Sequence, residues 1–221
     1  MSQQTPLLAD HYYHIYNRGN NGGDVFFEER NYPYFFKLYI QHIYPIAKTY
    51  AYCLMKNHFH FLVSMRSQTD LSGSQNLKGQ NVTTCPISDL SGFKNLTGLD
   101  AATETDYSQH FSNLFNAYTK AINKAYQRTG SLFEKPFHRI HVDSDSYFIQ
   151  LVSYIHSNPQ KHGFVADFRN YLYSSYSTIH QQKRSRIEAQ TALSWFGSIS
   201  SFEAYHLQFD DGAIKHLITD D

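Results

Sequence analysis

The alternation of apolar and polar positions is clearest in Met55-Lys56-Asn57-His58-Phe59-His60-Phe61-Leu62-Val63. Read as a β-strand, this stretch sends Phe59 and Phe61 to one face and His58 and His60 to the other. The apolar face is core-directed. The opposite face carries two imidazoles about 7 Å apart along the chain, two rises of ~3.3 Å. Thr49–Leu54 precedes it as a second apolar strand, and the tight link near Met55-Lys56 predicts a β-hairpin over Thr49–Leu54 and Asn57–Met65. Upstream, His11–Asn17 is aromatic and β-branched and predicts a first strand, broken by Arg18-Gly19-Asn20-Asn21-Gly22-Gly23. Between them, Phe35, Leu38, Tyr39 and Ile43 follow helical spacing and predict a helix over Glu28–Tyr44, with Pro33 in its first turn and Pro45 just past its end.

Downstream of Met65 the pattern changes. Ser67–Thr105 is rich in Ser, Gly, Asn, Thr and Asp and holds a near-repeat, Asp70–Gly79 against Asp89–Gly98. Two polar copies do not make a solenoid, so the segment is expected to be a mobile insertion between core elements. Phe111, Leu114, Phe115, Tyr118, Ile122 and Ala125 then give one apolar face to a helix over Gln109–Arg128. A turn-rich connector, Ser131–Phe137, leads to a strand at His138–Val142. Asp143/Ser144 open a helix through Asn158, which Pro159 is expected to close. Its core face is Phe148, Leu151, Val152 and Ile155, and Tyr147, Leu151, Tyr154 and Asn158 form the adjacent stripe. Tyr171–Ile179 gives only a weak signal. Lys183–Ser194 and Ser200–Gln208 predict short C-terminal helices. The order β-α-β-β, insertion, α-β-α predicts an α+β fold: an antiparallel sheet with helices mainly on one face. We divide the chain into a core domain over residues 1–178, interrupted by 67–105, and a helical extension over 179–221.

Composition changes this picture little. The formal charge is zero, but from Asp106 to Arg186 ten Lys/Arg face five Asp/Glu, a net of +5. A basic half with interleaved aromatics suits phosphate and base contacts. No apolar run is long enough for a membrane helix, and Met1–Asp10 lacks a signal-peptide pattern. Cys53 and Cys85 are expected to be free thiols in a reducing cytoplasm.

The His58/His60 pair acquires meaning from the helix that ends near Asn158. Two neutral imidazoles on a rigid strand bind one divalent cation when a third ligand is supplied. Tyr154 and Asn158, four residues apart, lie on one helix face. A carboxamide oxygen at Asn158 completes a three-residue site for Mg²⁺ or Mn²⁺, and a phenol at Tyr154 is a candidate nucleophile. Tyr118 and Tyr126 are its rivals. His156 and His162 flank the site and read as exposed turn histidines. Arg18, Lys56, Arg128, Lys135, Arg139 and Lys161 are the candidate phosphate contacts.

Arg18-Gly19-Asn20 after a strand, the Met55–Val63 stretch, Gly130-Ser131-Leu132-Phe133 and Tyr154-Ile155-His156-Ser157-Asn158-Pro159-Gln160-Lys161-His162-Gly163 occur here in one order. In that order they resemble the single-tyrosine HUH transposases, and among these the REP-associated tyrosine transposases. The resemblance runs from about Tyr12 to Thr178. It implies a ferredoxin-like, RRM-like sheet, metal ligands at His58, His60 and Asn158, and a nucleophile at Tyr154. It also implies cleavage of single-stranded DNA near hairpins through a 5′-phosphotyrosine link, followed by strand transfer. The polar insertion and the neutral overall charge depart from the family. A domesticated hairpin-binding protein that does not cut, and a small-phosphoester hydrolase using water, are the rival readings. The resemblance implies a cytoplasmic, nucleoid-associated protein with no membrane partner. It leaves open a homodimer, with the tyrosine helix working in cis or in trans.

Overall fold

The computed structural model describes residues 5–67, 104–210, 212 and 214. Most of the expected insertion, and Cys85, lie outside the described residues. Four strands, β1 (Tyr12–Arg18), β2 (Ala47–Leu54), β3 (His58–Met65) and β4 (His138–Val142), form one sheet in the order β2-β3-β1-β4. Every pairing is antiparallel. Helix α1 (Asn31–His42) joins β1 to β2, and α2 (Glu104–Ala125) lies between β3 and β4. This β-α-β-β-α-β order with the first strand beside the third is the expected ferredoxin-like α+β sheet.

The expectation of helices mainly on one face holds for α1 and α2. Phe35 of α1 meets Phe59 and Phe61 of β3 and Tyr118 of α2 there, with ring centroids 5.0–6.4 Å away. The opposite face has its own helical layer. Helix α3 (Asp145–Lys161) lies there, followed by α4 (Tyr176–His180), α5 (Ala189–Ser194) and α6 (Ile199–Gln208). Phe148, Leu151, Val152 and Ile155 of α3, as expected, join Leu62 of β3, Cys53 of β2 and Phe202 of α6 in a second core. β3 is therefore buried on both sides, and its histidines face a helix rather than solvent.

Two local features escape a period-two reading. The β2–β3 register shifts between Thr49 and Ala51, where a bulge leaves Tyr50 and Ala51 both in the α3-side core. Along the outer edge of β2, Ser174 bridges Cys53, and the amides of Leu54 and Ser175 donate to Tyr173 and Tyr52. The aromatic stretch after Tyr171 thus covers a sheet edge that would otherwise be open.

Helix α3 starts as expected: Ser144 accepts a bond from the amide of Tyr147. It does not stop at Pro159. A proline removes one amide donor, but the next turn is closed by His162 N–H donating to Asn158 O, and both Asn158 and Pro159 are buried. Tertiary burial overrides the local preference, so one more turn carries Lys161 and His162 over the sheet.

The C-terminal helices are tied to α3 by a buried chain of neutral groups. His206 Nδ1 donates to Phe202 O at 2.7 Å, so its Nε2 accepts from His156 Nδ1 at 2.8 Å. His156 Nε2 in turn accepts from Ser175 Oγ at 2.8 Å. The expectation that His156 is an exposed turn histidine is corrected: it is wholly buried. Burial lowers the pKa of His206 to about 4 and pushes His156 well below the ordinary range. A lowered folded pKa means that the unfolded chain takes up the proton first. Stability is complete above about pH 6.5 and is lost as pH falls toward 4. His206 alone should withdraw about 2 kcal/mol between pH 7.5 and pH 5. Urea unfolding at the two pH values should show the fall, and His206→Gln should lessen it while the part due to His156 remains.

Candidate active site

The site grows from strand alternation. On β3, His58 and His60 face α3, with ring centroids 5.2 Å apart. On β1, Tyr12, His14 and Tyr16 share that face, because Tyr16 pairs with His60 and His14 with Leu62. His138 of β4 pairs with Tyr16, and their rings stack at 4.7 Å. His58 Nδ1 donates to Asn57 Oδ1 at 2.7 Å, and His60 Nδ1 lies 2.9 Å from His14 Nε2. Burial and the neighbouring His58, His162 and Lys161 hold His60 well below the ordinary imidazole pKa, so it is neutral. Neutral imidazole is the form that binds metal.

Helix α3 brings a matching stripe, Tyr154, Asn158 and His162, each four residues from the last. At one end, Tyr154 packs edge-on against His60 at 5.5 Å and His14 at 6.4 Å. At the other, His162 packs against His58 at 4.8 Å. Asn158 lies between these two contacts. Its carboxamide is wholly buried, and neither its oxygen nor its nitrogen has a hydrogen-bond partner among the described residues. An unpaired buried amide costs about 1–3 kcal/mol, so this group is one a ligand would satisfy. Among the described residues no three His, Cys, Asp or Glu side chains converge as a metal cluster. Two imidazoles with one carboxamide oxygen are the donor set present, and they suit a cation that also takes phosphate oxygens. Lys161 Nζ sits 5.4 Å from the centre of the Tyr154 ring.

The structure thus brings together His58, His60, Tyr154, Asn158 and Lys161. Arg18 and Lys56 lie at the same end of the sheet, each already paired: Arg18 with Glu134 at 2.8 Å and Lys56 with Asp24 at 2.9 Å. Lys135 is exposed beside Glu134. Arg128 and Arg139 are elsewhere. Arg128 lies over Phe27, and Arg139 lies over Phe137 and donates to Ser108 Oγ, both on the α1/α2 side. The rival tyrosines are on that side as well. Tyr118 donates to Val25 O and Tyr126 to Asn31 Oδ1.

Backbone bonds knit the loops at this end. Gly19 bridges Phe133, and the amide of Asn20 donates to Leu132 O. The amides of Val25 and Phe26 both donate to Lys56 O. A Cβ on Gly19 would fall 1.8 Å from Gly23 O, so glycine is what lets this loop close. The Arg18-Gly19-Asn20 and Gly130–Phe133 stretches are therefore one structural unit.

Sequence reasoning did not find His14, Tyr16 and His138. The signal was present in the alternation of Tyr12, His14 and Tyr16, but its meaning depends on β1 lying beside β3. His162 is exposed, as expected, yet its ring belongs to the site.

No protein-family model matches the chain, and no curated protein matches it in sequence. Among solved structures, a REP-associated tyrosine transposase bound to a REP hairpin aligns over 82% of this chain and 87% of its own, with TM-score 0.55 and 13% identity. A bacterial tRNA(His) guanylyltransferase-like protein in complex with GTP aligns over 76% and 73% at TM-score 0.36 and 12% identity, too weak a likeness to inform the fold. The four-stranded antiparallel sheet with its helices is accordingly the α+β fold of a REP-associated tyrosine transposase.

Proposed function

We propose that the protein is a metal-dependent single-stranded DNA endonuclease and strand transferase that acts near DNA hairpins through a 5′-phosphotyrosine intermediate. The observation that carries this reading is the packing of Tyr154 against His60, with the buried, unpartnered carboxamide of Asn158 one helical turn away. The REP hairpin bound by the structural neighbour makes hairpin DNA the substrate class to test.

In this reading Tyr154 Oη attacks the scissile phosphorus. A P–O bond forms to the tyrosine and the P–O3′ bond breaks. The phenol proton leaves to solvent, and the departing oxygen takes one up as a free 3′-OH. Attack by a different 3′-OH on the phosphotyrosine reverses these changes and joins the strands, so no nucleotide cofactor is consumed. His58, His60 and Asn158 would hold Mg²⁺ or Mn²⁺, which when bound supplies Lewis-acid polarisation of the phosphate. Lys161 places a positive charge beside Tyr154, where phosphate oxygens must come.

The test is a denaturing gel of labelled hairpin DNA with single-stranded flanks, drawn from repeats beside the gene. With Mn²⁺ or Mg²⁺ a covalent protein–DNA band should appear, and EDTA should abolish it. One observation favours the second reading, hairpin binding without cleavage: Tyr154 is only 3% exposed. Tight binding with no adduct in either metal would establish that alternative. Among the described residues no helix is long and apolar enough to cross a membrane.

A further inference from the structure

The contact between His14 and His60 goes beyond the ligand set. The two rings come from adjacent strands, and both are buried, at 0% and 1% exposure. They lie within 21° of coplanar, with His14 Nε2 and His60 Nδ1 2.9 Å apart. With no water to compete, one nitrogen must carry the proton and the other must accept it. Only one of the two arrangements leaves His60 able to bind a metal through Nε2, the nitrogen on the far edge of its ring. In that arrangement His60 Nδ1 donates and His14 Nε2 accepts. His58 already shows the same pattern, donating from Nδ1 to Asn57. Metal-binding histidines generally hold their second nitrogen in such a bond.

We propose that His14 is a positioning residue: by accepting the Nδ1 proton of His60 it fixes the tautomer and ring orientation that present His60 Nε2 to a divalent cation. This rests on the metal-dependent reading above. The acceptor is held in place by its own neighbours. Its ring stacks on Tyr16 at 4.7 Å, and Tyr16 stacks on His138. A neutral imidazole in this role also spares the sheet a buried carboxylate, whose desolvation would be expensive.

Two measurements test the proposal. In the metal-free protein, ¹⁵N imidazole correlation spectra should show His60 protonated on Nδ1. This uses unaltered protein, so it does not depend on a variant folding. Mn²⁺ binding, followed by electron paramagnetic resonance, should weaken about 10–100-fold in His14→Phe. His14→Gln, which can accept through Oε1, should recover most of the affinity. His60 protonated on Nε2, or a folded His14→Phe that binds Mn²⁺ as tightly as the wild type, would overturn the proposal. If the unaltered protein binds no Mn²⁺ while His60 is protonated on Nδ1, the orienting contact stands and the metal-dependent reading falls.

Discussion

Tyr154→Phe should abolish the covalent protein–DNA adduct and lower strand cleavage about a thousandfold or more, while hairpin binding changes little. The substitution removes one oxygen. The ring that packs against His60 and His14 and lies under Lys161 is retained, so the fold and the proposed metal ligands are undisturbed. The two tyrosines weighed as rivals in the sequence cannot take over. Tyr118 and Tyr126 are bonded on the far side of the sheet, separated from the histidine pair by β3 itself. A gel of wild type beside Tyr154→Phe, with a filter-binding control, reads both quantities. An adduct that survives the substitution would mean that another side chain is the nucleophile.

Phe61→Ala should have the largest effect on stability, a loss of about 3–5 kcal/mol. Phe61 is wholly buried on β3, stacked on Tyr39 at 4.4 Å and within 6.4 Å of Phe35, Phe59 and Tyr52. Truncation forfeits the burial and leaves a cavity that four large rings held on α1, β2 and β3 cannot close together. A domain of this size holds about 5–15 kcal/mol in total, so the variant should lie near the edge of folding. Leu172→Ala, at a position 83% exposed, should shift the urea midpoint by less than about 0.5 kcal/mol. Equal effects at the two positions would contradict the layer arrangement described here.

How much of this could be read from the chain depended on the range of the interaction. β3 was legible because alternation is local: Phe59 and Phe61 on one face, His58 and His60 on the other. The start of α3 was legible because Ser144 caps it within three residues. The helix end was not, since Pro159 argues locally for a stop and only burial in the folded core keeps the turn going. Tyr50 could not be assigned a face, because a bulge cancels the alternation that would have placed it. His14 lies 46 residues from His60, and Arg18 lies farther still, 116 residues, from its partner Glu134. Such pairings follow from strand order and loop closure, which a one-dimensional pattern does not encode.

The ion pairs at the loop end bear on the thermodynamics of nucleic-acid association. A lysine or arginine that meets a phosphate releases roughly 0.9 of a condensed counterion from duplex DNA, or 0.7 from a single strand, and this release makes affinity fall with salt. Arg18 and Lys56 begin already neutralised by Glu134 and Asp24. When a phosphate draws either cation away, the abandoned carboxylate gathers a sodium ion of its own, and the net release shrinks. Under the hairpin-DNA reading proposed above, association at this end of the sheet would be an exchange of one anion for another, and it should depend less on ionic strength than a count of basic side chains would suggest.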